Sequence, residues 1–340
     1  MLCHRPSTKA RSPVSLLESL GLSAPVVQAG MGGGVAGAEL AAAVSAAGGL
    51  GTVGLSDPRS FATELRRAVA LAGGRPVAAN LLVPFVRRAH IDACIAAGAA
   101  LVVFHDGAPA RWIAALRAAR IPVLCTAGDV AQTRRALAAG ADGLVAQGVE
   151  AGGHLVADRP LSVTLPEVLG AADGAPVLAA GGVADADDVR ALLAAGAVGA
   201  VAGTRFLLTE ESRAHPGYKQ KVLDAQRTIR TMLFGVGWPL AHRVVPNVLT
   251  ERWCARDELG PPAVRAFNRI GAPLGRLMPL GALGTILAAQ RTAVPLYTPA
   301  LPLAGMDPAA VDRSALYAGE TSRRIHDIVP AAEALARLTP

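Results

Sequence analysis

Between Pro25 and Phe206 the chain alternates short runs of consecutive apolar residues with longer stretches whose apolar positions recur at helical spacing. Two kinds of boundary precede the apolar runs. One is a proline, as in Pro25-Val26-Val27, Pro76-Val77-Ala78, Pro122-Val123-Leu124 and Pro176-Val177-Leu178. Proline has no N–H to give to a sheet ladder, so it suits the first position of a strand. The other is Ala-Ala-Gly, at Ala46-Ala47-Gly48, Ala96-Ala97-Gly98, Ala138-Ala139-Gly140 and Ala194-Ala195-Gly196. A glycine just past a helix takes the left-handed conformation that closes the helix end. Each series recurs at roughly 50 residues, and interleaved they mark a strand start at every boundary from Pro25 to Gly196, eight in all.

Helical patterns fill the intervals: Ala38–Ala47, Phe61–Leu71, Ala89–Ala97, Arg111–Ala119, Ala131–Ala139, Leu165–Ala172 and Asp187–Ala195. Strands that are apolar throughout belong in a parallel sheet covered on both faces. Eight βα units in succession therefore predict an α/β chain folded as a closed (β/α)8 TIM barrel over residues 20–206. Beyond Phe206 the repeat stops. Residues 207–300 read as a helical excursion over the barrel top, after the eighth strand, broken by Trp238-Pro239 and Pro261-Pro262. Residues 301–340 read as a C-terminal segment whose last amphipathic helix returns to the barrel.

Composition narrows this picture little. With 340 residues, 52% hydrophobic and 17% charged, the chain is not disordered; its 37 glycines have no three-residue period, and only 4% of residues are aromatic. The net charge of +7 comes almost wholly from arginine, since the lysines are Lys9, Lys219 and Lys221. The arginines are scattered, often in pairs such as Arg66-Arg67 and Arg134-Arg135, and no nucleic-acid-binding motif accompanies them. Cys3, Cys94, Cys125 and Cys254 are too widely spaced for a zinc knuckle, which fits a reducing compartment. The N-terminus lacks a leader-length apolar run, and the most apolar window, Leu40 to Leu55, is broken by glycines. The expectation is a soluble cytoplasmic protein with no membrane or nucleic-acid partner and no metal.

In such a barrel the reactive groups lie at the C-terminal ends of the strands. Those ends include Gly30-Met31, Asn80, His105-Asp106, Cys125-Thr126, Gln147, Gly181-Gly182 and Gly203-Thr204. A phosphate group needs several main-chain N–H groups aimed at one point with no side chain in the way, and barrels commonly hold one after their last two strands. Gly181, Gly182, Gly203 and Thr204 meet that need; the plainer reading is that they are turn glycines. Gly32-Gly33-Gly34-Val35-Ala36-Gly37 matches a dinucleotide fingerprint, with Asp57 about 20 residues further on. The eightfold alternation, and the Gln28 and Met31 that intervene, weigh against an open dinucleotide-binding sheet. His154, after Gly152-Gly153 and near Glu150, is the leading candidate for acid–base work or for holding an anion. His105 ranks behind it, and His4, His90, His215, His242 and His326 read as surface or packing residues.

Taken together, Pro25-Val26-Val27-Gln28-Ala29-Gly30-Met31, Gln147-Gly148-Val149-Glu150-Ala151-Gly152-Gly153-His154, Ala180-Gly181-Gly182, Gly203-Thr204-Arg205-Phe206 and Tyr317-Ala318-Gly319-Glu320 resemble the nitronate monooxygenases. FMN-dependent enoyl-acyl-carrier-protein reductases share several of these motifs. The resemblance implies FMN at the barrel top, with Gly30 and Met31 along the isoalloxazine and Asn80, Thr126, Gln147 and Gly152 on its ring or ribityl chain. Gly181, Gly182, Gly203 and Thr204 would take its phosphate, and His154 would serve as the active-site histidine. The implied reaction is oxidation of a small nitronate or nitroalkane with O2 to a carbonyl compound and nitrite. NAD(P)H-dependent reduction of an enoyl thioester or quinone on the same barrel is the alternative. Some relatives carry lysine where this chain has Cys125-Thr126. The Phe234-Gly235-Val236-Gly237-Trp238 segment is also distinct, and is expected to shape the substrate entrance.

Overall fold

The computed structural model describes residues 15–275, 277 and 279–340; Cys3, His4 and Lys9 lie outside them. Eight parallel strands form one sheet: β1 (Val26–Gln28), β2 (Gly51–Gly54), β3 (Val77–Leu82), β4 (Leu101–His105), β5 (Val123–Ala127), β6 (Gly143–Gln147), then β8 (Val177–Ala180) and β9 (Gly199–Ala202). The intervening β7 (Gly153–His154) stands outside this sheet. The strand order β1-β9-β8-β6-β5-β4-β3-β2, with a parallel bridge from Val27 to Leu50, closes the sheet into a (β/α)8 TIM barrel.

Each strand starts within a few residues of its proline or Ala-Ala-Gly boundary, and Gly48, Gly98, Gly140 and Gly196 all carry positive φ. The seven helices expected from periodicity are present, the largest difference being Leu161–Ala171, which begins a turn earlier than the Leu165 read from the pattern. Pro160 supplies that start. Inside the barrel, Val27, Leu50, Ala78, Leu101, Leu124, Val145 and Leu178 form a layer closed from below by Leu17. A larger core, including Phe61, Leu65, Ile91, Phe104, Ile113 and Leu116, lies between sheet and helices. With the barrel floor filled, open space is left at the strands' C-terminal rim.

The helix Ala331–Leu338 packs Leu335 and Leu338 against Leu40, Val44 and Val189 of the first and last barrel helices. Residues 207–300 hold the helices Pro216–Leu223, Val248–Cys254, Pro262–Gly275 and Leu283–Ala289, but they are not only helical. Two three-residue strands, β10 (Ile229–Thr231) and β11 (His242–Val244), pair antiparallel, and β11 pairs in turn with β7. Runs this short carry less than two full periods of alternation, which is why periodicity passes over them. No helix among the described residues is long and apolar enough to cross a membrane.

Candidate active site

A cavity of about 710 Å³ opens at the C-terminal ends of the barrel strands. Gly30, Met31, Asn80, Thr126, Gln147, Gly152, His154, Gly181, Gly182, Gly203 and Thr204 all line it. Residues picked from six separate strand ends and loops thus share one space. They differ in what they have left to offer a ligand.

The main-chain N–H groups of Gly181, Gly182, Gly203 and Thr204 donate to no carbonyl or side chain among the described residues. Gly182 has φ +75°, and a Cβ placed there would meet no protein atom within 4 Å, so it would project into open space. These are the bare amides that an anionic group requires. The Thr204 hydroxyl accepts the Gly319 N–H at 2.9 Å and keeps its own proton to donate.

Three of the expected cofactor-contact residues also hold the architecture of the site. Gln147 donates from Nε2 to the His154 carbonyl (3.2 Å) and accepts from the Val156 N–H at Oε1 (2.8 Å), so both ends of its amide brace the His154 loop. At Gly152 a Cβ would lie 2.6 Å from Ala318 C and Gly319 N; its bareness lets the C-terminal segment cross the loop. Asn80 donates to the Gly30 carbonyl at 2.8 Å and fixes the turn after β1. Cys125, beside Thr126, is buried, and burial pushes its thiol pKa up to about 12, which disfavours the thiolate.

The loop after β6 is held as a strand because the excursion supplies a partner. His154 pairs with His242, and Gly153 with Arg243, across the antiparallel β7–β11 register. Arg243, itself buried, donates to the Val149 carbonyl at 2.8 Å and to Thr228 at 3.1 Å, and pairs with Glu320 at 3.1 Å. One guanidinium so ties the loop, the excursion and the C-terminal segment together. Glu150, close to His154 in sequence, turns its carboxylate to the Leu161 N–H instead.

His154 sits in an aromatic nest. Its ring stacks on Trp238 (centroids 3.6 Å apart, planes 8° apart), with His242 at 4.9 Å and Tyr317 at 5.4 Å. Its Nε2 is buried without a hydrogen-bond partner among the described residues. Burial, with the imidazoles of His242 and His105 as neighbours, holds its pKa well below the ordinary histidine range. Burial thus favours the neutral form of the His154 imidazole. His242 is likewise pushed down to about 4 by burial, with Nδ1 3.0 Å from the Leu240 carbonyl. The one guanidinium among the described lining residues, Arg213, is occupied by Glu39 (2.6 Å) and Glu64 (2.8 Å).

Sequence reasoning set Trp238 at the substrate entrance without its stack on His154, passed over Tyr317 as a site residue and set His242 among packing residues. His242 is packed, but directly against His154. The signal for it was the pairing of β7 with β11, which no local pattern announces. The fingerprint-like glycines also find their explanation. Gly33 and Gly34 form a turn of positive φ under Leu301 and Leu303. Asp57 caps the helix Pro58–Leu71, its Oδ1 accepting from the Arg59 and Ser60 N–H groups.

Fold and site define a (β/α)8-barrel enzyme with its reaction cavity at the C-terminal rim. The family model "Nitronate monooxygenase" matches residues 15–92 and 83–340, and the chain belongs to that family of oxidoreductases. It is 33% identical over 276 residues to the nitronate monooxygenase of Pseudomonas aeruginosa, covering 67% of this chain and 78% of that protein. It is 34% identical over 255 residues to a (3aS,4S,5R,7aS)-5-hydroxy-7a-methyl-1-oxo-octahydro-1H-indene-4-carboxyl-CoA dehydrogenase of Mycobacterium tuberculosis, covering 72% of this chain and 68% of that one. Among solved structures, the nitroalkane oxidase of Streptomyces ansochromogenes superposes with a TM-score of 0.75 at 30% identity, covering 95% of this chain and 96% of that one.

Proposed function

We propose that the protein is an FMN-dependent enzyme that oxidises alkyl nitronates with O2 to carbonyl compounds and nitrite. The observation that carries this reading is a buried imidazole with an unpartnered Nε2 on the wall of a cavity whose rim offers unshared main-chain amides among the described residues. The residues fit the cofactor. Gly181, Gly182, Gly203 and Thr204 would hold its phosphate, and Gly30, Met31, Asn80, Thr126 and Gly152 would line the rest, with Gln147 bracing the loop above. Bound there, FMN supplies the electron-accepting chemistry, and the chain supplies orientation and proton handling. His154 would accept the α-proton of a neutral nitroalkane or position a nitronate that arrives already ionised. Trp238, Phe85 and Leu82 wall the same space and exclude water around the reacting carbon.

A second reading, a reductase acting on a larger apolar substrate such as an acyl thioester, is favoured by the apolar arm formed by Leu280, Leu287, Leu301 and Met306. The similarity to a CoA-ester dehydrogenase supports the same direction. The deciding experiment gives yellow holoprotein propyl nitronate in air and assays nitrite. Nitrite formed in step with O2 uptake is the expected result. Absence of nitrite together with rapid anaerobic bleaching of the flavin by NADH would overturn it for the reductase.

A further inference from the structure

Trp238 comes from the turn between β10 and β11, where its N–H bonds to Gly235 O at 3.0 Å. It lies flat on His154 and is fixed from every side. Its indole Nε1–H donates to Asp106 Oδ2 at 2.8 Å. Phe85 and His105 meet the indole edge-on, with centroids 5.6 and 5.9 Å away. Asp106 adopts φ +62° at the end of β4, a left-handed conformation that aspartate tolerates better than most residues. A stack this parallel and this anchored does more than fill space. The face of an indole is its electronegative surface, so a cation lying on it is attracted. A carboxylate accepting the indole N–H pushes further electron density toward that face.

We propose that Trp238, aimed by Asp106, is a positioning residue for the reaction: it orients the His154 imidazole and steadies the proton that His154 takes from a nitroalkane. This rests on the reading of His154 as the proton acceptor. In that step the α-carbon C–H bond breaks, its electron pair becomes the C=N bond of the nitronate as the N=O π pair moves onto oxygen, and the proton ends on the imidazole. The groups facing His154 are His105 at the end of β4, His242 on β11 and Tyr317 from the C-terminal segment. His105 and His242 are buried and held toward their neutral forms, so neither brings a negative charge to the proton, and the Tyr317 hydroxyl is turned to the Pro299 carbonyl at 3.2 Å. The indole face, with Asp106 behind it, is what remains to welcome the proton.

The test follows the His154 imidazole through a pH titration by NMR in the holoprotein, its signal assigned by comparison with His154→Ala. Trp238→Phe, Trp238→Leu and Asp106→Asn are compared with the parent. The midpoint is expected to fall in the order parent, Phe, Leu, with a total drop of about half a unit to one unit. Asp106→Asn keeps an acceptor for the indole and gives a smaller drop, so the proposal stays testable if Trp238→Leu fails to fold. In parallel, Trp238→Leu should lose several-fold more activity on nitroethane than on preformed ethyl nitronate, and the acid limb of its kcat/KM profile should move with the NMR midpoint. An unmoved midpoint, or equal losses on the two substrates, would overturn the proposal while leaving nitronate oxidation standing. Failure of the parent holoprotein to consume either substrate would instead remove the functional reading itself.

Discussion

The glycine rim and the histidine cluster line the same cavity, yet they are built on opposite principles. The rim is local: Gly181 and Gly182 follow β8, Gly203 and Thr204 follow β9, and the amides are set by backbone conformation within two neighbouring turns. The cluster is composite. His105 and Asp106 come from β4, His154 from the loop after β6, Trp238 and His242 from the excursion and Tyr317 from the C-terminal segment. The rim's amides come from the barrel's own turns, whereas the cluster needs the excursion to dock and β11 to pair with β7. The contrast suggests a division of labour in which the barrel keeps a cofactor and the excursion determines what is done with it.

His154→Ala is the strongest way to sharpen that division. Removing a positioned acid–base group typically costs about 10²–10⁴-fold in rate. Turnover of nitroalkane should fall by that order while the flavin absorbance per protein stays at the parental level. Parallel loss of colour and activity would show that the loop also holds the cofactor, and the two regions would have to be treated as one.

Gly182→Val attacks the other side. A β-branched residue at φ +75° is strained by about 1–2 kcal/mol, and its side chain would enter the space left open above the rim. Cofactor affinity should drop by about tenfold or more, with turnover per bound flavin largely kept. Gly73→Val is the control, since Gly73 has a similar φ of +59°, an open surround and no place in the cavity wall. Equal cofactor loss in both variants would make the effect one of general strain and remove the cradle assignment.

The same contrast explains what the sequence disclosed. Pro25, Pro76, Pro122 and Pro176 and the four Ala-Ala-Gly boundaries located all eight barrel strands because each is a constraint on one or two backbone dihedrals. The strand-end glycines were legible for the same reason, as was His154 once the ends were known. The contacts of Trp238 and His242 with His154 were not, because those residues lie 84 and 88 positions further along the chain. β10 and β11 are also too short to show a period. Gln147 and Gly152 line the cavity, and their partners are the His154 loop and the C-terminal segment. Placement followed from the barrel; partners depended on tertiary packing.

Acid stability offers the gentlest probe of the difference. His242 is fully buried, and its pKa falls from an ordinary 6.5 to about 4 in the folded chain. Between those values the unfolded chain binds a proton that the folded chain refuses, so acid favours unfolding. The stability linked to this residue is fully present above about pH 6.5 and is lost as pH falls toward 4, at up to about 1.4 kcal/mol per pH unit. His154 and His105, also lowered by burial, act in the same direction. Tm should therefore decline as pH drops from 7 to 4.5, and His242→Phe should make that decline shallower. The rim carries no titrating side chain, so Gly182→Val should leave the slope as it is. A slope that His242→Phe does not change would mean that another group controls acid unfolding, and the cluster would lose its standing as the pH-sensitive half of the site.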